Sequence, residues 1–217
     1  MNAVLFTIGN DAVSIAELLG FVTGATCVLL TVLGRISNFP VGIANSALFL
    51  VLFLTARLYA DAGLQVVYIV LGFVGWWQWL HGAAGHRLRV RHTGRSTLLG
   101  CALFVVIATA GLTWLLTRVN DVAPFWDALT TALSLAAQYL LNTKRIENWA
   151  FWIAADLIYI PLYAVKRLDL TAIVYVLFLV MCVTGVLAWR KAMVQAQTSD
   201  TAWSSASSTH RTRDTTA

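Results

Sequence analysis

Arg35-Ile36-Ser37-Asn38 returns 110 positions later as Arg145-Ile146-Glu147-Asn148, and the two stretches stay in step through Ile43-Ala44 and Ile153-Ala154. Extending that register outward without a gap lays residues 17–79 over 127–189, with 15 identities in 63 positions. Many of these are Leu, Val or Ala, which two apolar segments share by chance. Arg57 on Arg167, Gly75 on Gly185 and Trp79 on Trp189 are of another kind. Each copy holds three long apolar runs, and a duplicated three-span unit in a bilayer points to a transporter, because paired units can rock about a shared site.

Composition supports a membrane setting. The chain is 59% hydrophobic and 12% charged, with a mean hydropathy of +0.75, whereas soluble domains carry about 25% charged residues. A span needs roughly 20 apolar residues. Seven are expected, near 15–34, 40–57, 62–80, 98–118, 123–142, 148–165 and 169–189. The fold expected is therefore all-α and integral to the membrane.

Three spans leave the chain on the far side, and the fourth brings it back. The second copy then enters from the same side as the first. The repeats are parallel, related by an axis along the membrane normal, in a 3+1+3 order. Span four is a connector with little polar content beyond Thr109, Thr113 and Trp114. The expected organisation is an extracytoplasmic N-terminus (1–14), a first three-helix repeat (15–80), a basic cytoplasmic loop with linker helix (81–122), a second repeat (123–189) and a disordered cytoplasmic tail rich in Ser and Thr (190–217).

Orientation follows from the basic residues. One side carries Arg35, Arg87, Arg89, Arg91, Arg95, Lys144, Arg145, Arg190, Lys191, Arg211 and Arg213; the other carries Arg57, Arg118, Lys166 and Arg167. Positive residues favour the cytoplasmic side, which places the N-terminus outside and the C-terminus inside. The net charge of +5 is thus a topology signal rather than a nucleic-acid surface. Residues 1–14 lack the basic start of a cleavable signal, so the first span serves as an uncleaved insertion signal. Trp77 and Trp189, near span ends, are expected in the headgroup belt.

Catalytic and cofactor chemistry finds no support. Cys27, Cys101 and Cys182 lie in separate spans without metal-ligand spacing, no phosphate-binding loop occurs, and no His-Glu-x-x-His is present. Neither an enzyme, a bound cofactor nor a metal is expected.

Polar groups inside the membrane are costly and mark function. Asp156 falls in the middle of span six. Trp152, Asp156, Tyr159 and Tyr163 share one helical face, with Asn148 a turn earlier. Such a face suits a cavity, or a helix seam in which Asp156 is paired. Span five adds Ser134, Gln138 and Asn142 at four-residue spacing. Span three adds Gln65, Tyr68, Gly72, Gly75, Trp76 and Trp79, where the glycines permit close helix approach. Span two adds Asn45 and Ser46, and the latter stands opposite Asp156 in the register. Pro161 is expected to kink span six and free a carbonyl.

These residues resemble a known family. Gln138-Tyr139-Leu140-Leu141, Lys144-Arg145-Ile146-Glu147-Asn148-Trp149, Trp152-Ile153 with Asp156-Leu157-Ile158-Tyr159, and Leu170-Thr171-Ala172 resemble the second half of PnuC-type nicotinamide riboside transporters. Gln65, Tyr68 and Gly75-Trp76-Trp77-Gln78-Trp79 resemble the first half. The resemblance covers about 15–190 and implies a full-length SWEET-like fold. It also implies a homotrimer, uptake of the nucleoside by facilitated diffusion through the bacterial inner membrane, and trapping by a cytoplasmic nicotinamide riboside kinase.

The implied substrate carries a pyridinium cation, a carboxamide and ribose hydroxyls. Aromatic faces attract a desolvated cation by about 2 kcal/mol, so Trp152, Trp76 and Tyr159 are expected around the ring. Gln138 and Asn148 match the carboxamide or the hydroxyls, and Asp156 either offsets the charge or holds other polar groups. Tyr68, Gln65 and Asn45 complete the expected substrate-binding set. Relatives that carry riboflavin, thiamine or deoxynucleosides share the fold, and proton coupling through Asp156 is a further alternative. A membrane receptor that moves no solute is a third class, which flux through liposomes excludes or establishes.

Overall fold

The structure is a computed structural model that describes residues 4–8, 11–82, 88–119, 122–165 and 169–214. Seven helices follow one another: α1 (Ile15–Val32), α2 (Asn38–Thr55), α3 (Tyr59–His81), α4 (Arg95–Arg118), α5 (Pro124–Asn142), α6 (Asn148–Val165) and α7 (Asp169–Asp214). Two short strands, β1 (Val4–Ile8) and β2 (Asp11–Ser14), pair antiparallel ahead of α1. The sequence gives no sign of that hairpin, because its alternation is too short to stand out beside a 20-residue apolar run. Arg87, Lys166 and Arg167 lie outside the described residues.

Among the described residues, five helices are long and apolar enough to cross a membrane: Asn38–Thr55, Asp61–His81, Arg95–Arg118, Asn148–Val165 and Leu170–Ser199. Leu18–Val32 is apolar but shorter. Helix α5 falls outside both groups, and its surroundings explain why. It packs against α3, α4 and α6, and Ala128, Ala132, Ala136, Ala137 and Leu140 are buried along it. A helix sheathed in protein needs small residues for close approach rather than a lipid-soluble surface. Outward side chains such as Leu99, Val106, Ile107 and Leu187 are exposed, as a lipid-facing rim requires.

In the first half of the chain α2 packs on α1 and α3, and in the second half α6 packs on α5 and α7. Residues 110 positions apart behave alike. Helix α1 ends with Gly34 in the left-handed region (φ +63°), Gly34 N–H bonding Thr31 O and Arg35 N–H bonding Leu30 O. Helix α5 ends with Lys144 at φ +53° and the matching bonds to Leu141 O and Leu140 O. Both are Schellman closures, which favour glycine at the left-handed position. Asn38 and Asn148 then donate from Nδ2 to the carbonyls of Arg35 and Arg145, at 2.9 and 2.6 Å, and start α2 and α6.

The halves meet reciprocally, α1 against α7 and α3 against α5. At the basic end, Trp79 Nε1 donates to Leu141 O at 3.2 Å, and Trp189 Nε1 donates to Thr31 O at 3.1 Å. Each indole thus holds the final turn of the other half's first helix. Phe39, Trp79, Trp149 and Trp189 form a continuous buried cluster, with ring centroids 5.1 Å apart for Phe39–Trp79, 6.3 Å for Trp79–Trp189 and 5.5 Å for Trp149–Trp189. Trp189 is therefore not a headgroup-belt residue. It is 2% exposed, because Gly185 lets the Trp149 ring lie against α7 and turns that face inward. Trp77, by contrast, is exposed as a belt residue should be.

Helix α7 continues to Asp214, where composition suggested a disordered tail. Ser, Thr and Gln cost a helix little per residue, and a helix already nucleated in the membrane propagates at low cost. The α3–α4 connection is also ordered from Leu88. Arg91 forms a parallel bridge with Arg145, Arg145 Nη1 donates to His92 O at 2.6 Å, and Lys144 Nζ donates to Leu88 O at 3.1 Å. Glu147 accepts from His92 Nδ1 at 2.9 Å, from Thr93 N–H at 2.8 Å and from Thr93 Oγ1 at 2.5 Å. Leu88 and Val90 close over the aromatic cluster.

Candidate functional site

Helix α5 carries a column of polar side chains at four-residue spacing: Thr130, Ser134, Gln138 and Asn142. At 1.5 Å per residue the column runs about 18 Å through the membrane. Residues of neighbouring helices stand beside it. Thr130 Oγ1 donates to Trp126 O of its own helix at 2.9 Å and faces Tyr159 of α6, and Ser134 faces Tyr68 of α3. Gln138 Nε2 donates to Asn142 Oδ1 at 3.0 Å, and Asn142 Nδ2 donates to Leu71 O of α3 at 2.8 Å. Glycine at position 75 makes that last contact possible, because a Cβ there would collide with Asn142 Oδ1 and the Phe39 ring.

Aromatic residues flank the column at both ends. Toward the basic end, half-buried Trp76 and Trp152 pack on the membrane side of the aromatic cluster, and Trp76 stacks on Phe73 at 6.4 Å. Toward the other end, Tyr159, Tyr163 and Tyr175 stack on one another with centroids 4.6 to 5.6 Å apart. Between them lies Asp156, 4% exposed, whose Oδ2 accepts from the Cys182 thiol of α7 at 3.5 Å. Pro161 sits inside α6 and removes the N–H that would bond Leu157 O.

The structure thus places Gln138 and Tyr68 near the α3–α5 contact, Tyr159 beside Thr130 of α5, Trp76 and Trp152 against the buried aromatic cluster, and Asp156 against α7. Gln65 lies half-buried on α3, a turn before Tyr68. Two expected residues have other work. Asn148 is fully buried and its amide N–H closes the α5–α6 turn, while its Oδ1 is buried without a partner. Asn45 Nδ2 donates to Gly20 O and Thr23 Oγ1, at 2.8 and 2.7 Å, and ties α2 to α1.

Thr130, Cys182 and Tyr175 escaped the sequence reading. Thr130 was legible as the next step of the Ser134–Gln138 spacing. Tyr175 is the counterpart of Gln65 in the 110-residue register. Cys182 had no signal, because a single thiol in an apolar run is silent. A separate groove of about 700 Å³ opens between α3, α4 and α5, lined by Val67, Leu71, Ser96, Thr97, Cys101 and Phe104 among others; its lining is mostly apolar and includes no member of the polar column. No group of three metal-binding side chains gathers among the described residues.

Outside the spans, burial of the Glu147 carboxylate raises its pKa. Hydrogen bonds from Thr93 and His92, with backbone bonds from Glu147 and Thr93, outweigh that effect and leave it below the ordinary carboxylate value.

Comparison with known proteins covers this whole arrangement. The family described as nicotinamide mononucleotide transporter matches residues 14–191. The nicotinamide riboside transporter PnuC of Neisseria mucosa is 31% identical, over 88% of this chain and 77% of its own length. That of Escherichia coli is 26% identical, over 83% and 87%. The riboflavin/roseoflavin transporter RibM of Streptomyces davaonensis is 24% identical, over 87% and 91%. Among solved structures, the crystal structure of the vitamin B3 transporter PnuC superposes with a TM-score of 0.68 at 25% identity, covering 83% of this chain and 82% of that one.

Proposed function

Because the chain belongs to the nicotinamide mononucleotide transporter family, we propose that it carries nicotinamide riboside across the bacterial inner membrane. It is a multi-pass membrane transporter and not an enzyme. The observation that carries the substrate is the amide of Gln138 on the α5 column, one turn from Asn142, with Trp76 and Trp152 half-buried against the aromatic cluster. A pyridinium ring between aromatic faces, with its carboxamide on an amide, uses both features. The family's description names the nucleotide and its PnuC members name the nucleoside. The buried carboxylate of Asp156 favours the nucleoside, since a phosphate would be repelled by it.

The cycle proposed is facilitated diffusion by alternating access. The two three-helix units, 15–80 and 123–189, rock about the column, with α4 in 81–122 as the linker of a parallel 3+1+3 arrangement and the basic end facing the cytoplasm. The N-terminus is then outside and residues 190–217 are inside. The aromatic cluster and its reciprocal indole bonds support a gate at the cytoplasmic end, and opening requires both bonds to release. Assembly as a homotrimer and onward phosphorylation by a cytoplasmic kinase complete the reading.

Calorimetric titration of the purified protein tests it, with nicotinamide riboside, nicotinamide mononucleotide, riboflavin and thiamine in parallel. Tight binding of the riboside alone is expected. Binding of riboflavin instead would overturn the substrate and keep the fold; the RibM relative makes it the first rival. A proton-coupled cycle through Asp156 is the second, favoured by that carboxylate's burial in mid-helix. Flux into liposomes with and without a pH gradient separates it from diffusion.

A further inference from the structure

The amides of α5 are wired in one direction. Leu71 O is a backbone carbonyl and can only accept, so the Asn142 group 2.8 Å from it must be the N–H donor. Asn142 then has only its Oδ1 to offer along the helix. The Gln138 group 3.0 Å away must in turn be its Nε2. Neither amide can flip without setting two acceptors or two donors against each other. What remains of Gln138 is its carbonyl oxygen. It takes no hydrogen bond from any described residue, and it is not among the buried atoms sealed without a partner. Gln138 stands on α5 one turn from Ser134, which faces Tyr68 of α3, and one turn from Asn142, which bonds Leu71 O of α3.

We propose that Asn142 is a positioning residue that locks the Gln138 amide with its oxygen toward the substrate, so that this position selects a group that donates a hydrogen bond. The inference rests on the nicotinamide riboside reading and names the part of the substrate recognised: the carboxamide N–H₂. The first half holds Val28 and Val32 at the equivalent positions, so the selection is made on one side of the site. A site built to bond an N–H rejects an analogue that lacks it by a large factor, because its own acceptor is left unpaired.

The test compares nicotinamide riboside with 3-acetylpyridine riboside, in which a methyl group replaces the amide nitrogen at nearly constant shape. The wild-type protein is expected to bind the acetyl compound at least tenfold more weakly. In Asn142→Leu the Gln138 amide is free to turn, and the ratio should fall toward one even where nicotinamide riboside still binds. Gln138→Met removes the oxygen without disturbing the contact below Gly75, and guards against an Asn142→Leu protein that fails to fold; the same loss of discrimination is expected. Equal binding of the two ligands by the wild type, or an unchanged ratio in Gln138→Met, would overturn the inference and leave the functional reading standing. Failure of the wild type to bind either ligand would overturn that reading, and the inference with it.

Discussion

Helices α1 and α5 occupy the same place in the two halves and carry opposite chemistry. Thr130, Ser134, Gln138 and Asn142 of α5 correspond to Gly20, Gly24, Val28 and Val32 of α1. Their partners change with them. Thr130 faces Tyr159, whereas Gly20 lies under the ring of Phe49, the counterpart of Tyr159; a Cβ at Gly20 would sit 2.6 Å from that ring. Ser134 faces Tyr68, whereas Gly24 faces Phe178, the counterpart of Tyr68. In each case two hydroxyl-bearing residues at one contact are replaced by a glycine and a phenyl ring at the equivalent contact. The scaffold at the basic end stays symmetric, down to the two indole bonds, while the lining has moved to one side. A substrate without symmetry would be served by such a lining, while the scaffold that the proposed cycle moves around it remains alike on both sides.

That comparison breaks most sharply at the glycines. Gly75→Ala is expected to destabilise by about 1–3 kcal/mol, since overpacking a filled contact costs that much, and to lower the melting temperature of the detergent-solubilised protein. Gly185→Ala should cost a similar amount through the Trp149 ring; a large effect at only one of the two would show that the ends are less alike than their contacts.

Next in size is a change of chemistry at constant architecture. Tyr68→Phe with Ser134→Gly gives the α3–α5 contact the lining of the α1–α7 contact. The fold should persist, and affinity for nicotinamide riboside should fall about tenfold, or about 1.4 kcal/mol, by calorimetry. The mirror change, Phe178→Tyr with Gly24→Ser, should leave affinity within about threefold, a difference of well under 1.4 kcal/mol.

A smaller effect is expected at the indoles. Trp79→Phe and Trp189→Phe each remove one N–H across the halves, and in membranes such bonds average about 0.6 kcal/mol. Each single variant should show faster exchange flux in liposomes, and the double variant more than either. A rate set by one indole alone would remove the symmetry of the gate.

The smallest concerns the strap from Leu88 to Thr93, which has no counterpart contact in the first half's α1–α2 turn, where Gly34 and Ser37 stand for Lys144 and Glu147. Glu147 has its pKa lowered in the folded protein, so its contribution is present at neutral pH and is lost as pH falls into the ordinary carboxylate range near 4. Proteolysis within 88–93 should therefore speed up in acid. Glu147→Gln should raise cleavage at neutral pH and flatten that pH dependence.

The sequence made the duplication legible, and with it the helix order and the faces of α5 and α6, because both are periodic signals. It did not make legible what a residue at a span end does. Trp189 reads as a belt residue by position, and only its contact with Thr31 O shows that it faces inward. Asn148 reads as a ligand by its place on the polar face. Asn38 was the clue to its role in the turn, since the same residue recurs at the equivalent place in the first half. The strap joins two loops without periodicity, and no pattern in either one announces the other. The helical continuation of α7 was hidden by a composition that suits coil and helix almost equally.

The polar column also bears on how the protein is made. Helix α5 is not among the described helices that are long and apolar enough to cross a membrane. It is synthesised directly after α4, the helix that packs along it and is itself long and apolar enough to span. The connector is thus more than a way of reversing the chain. Entering the bilayer just ahead of α5, it shelters the least lipid-soluble segment of the molecule until α6 arrives, and a weakened α4–α5 seam would show first as poor biogenesis rather than as poor transport.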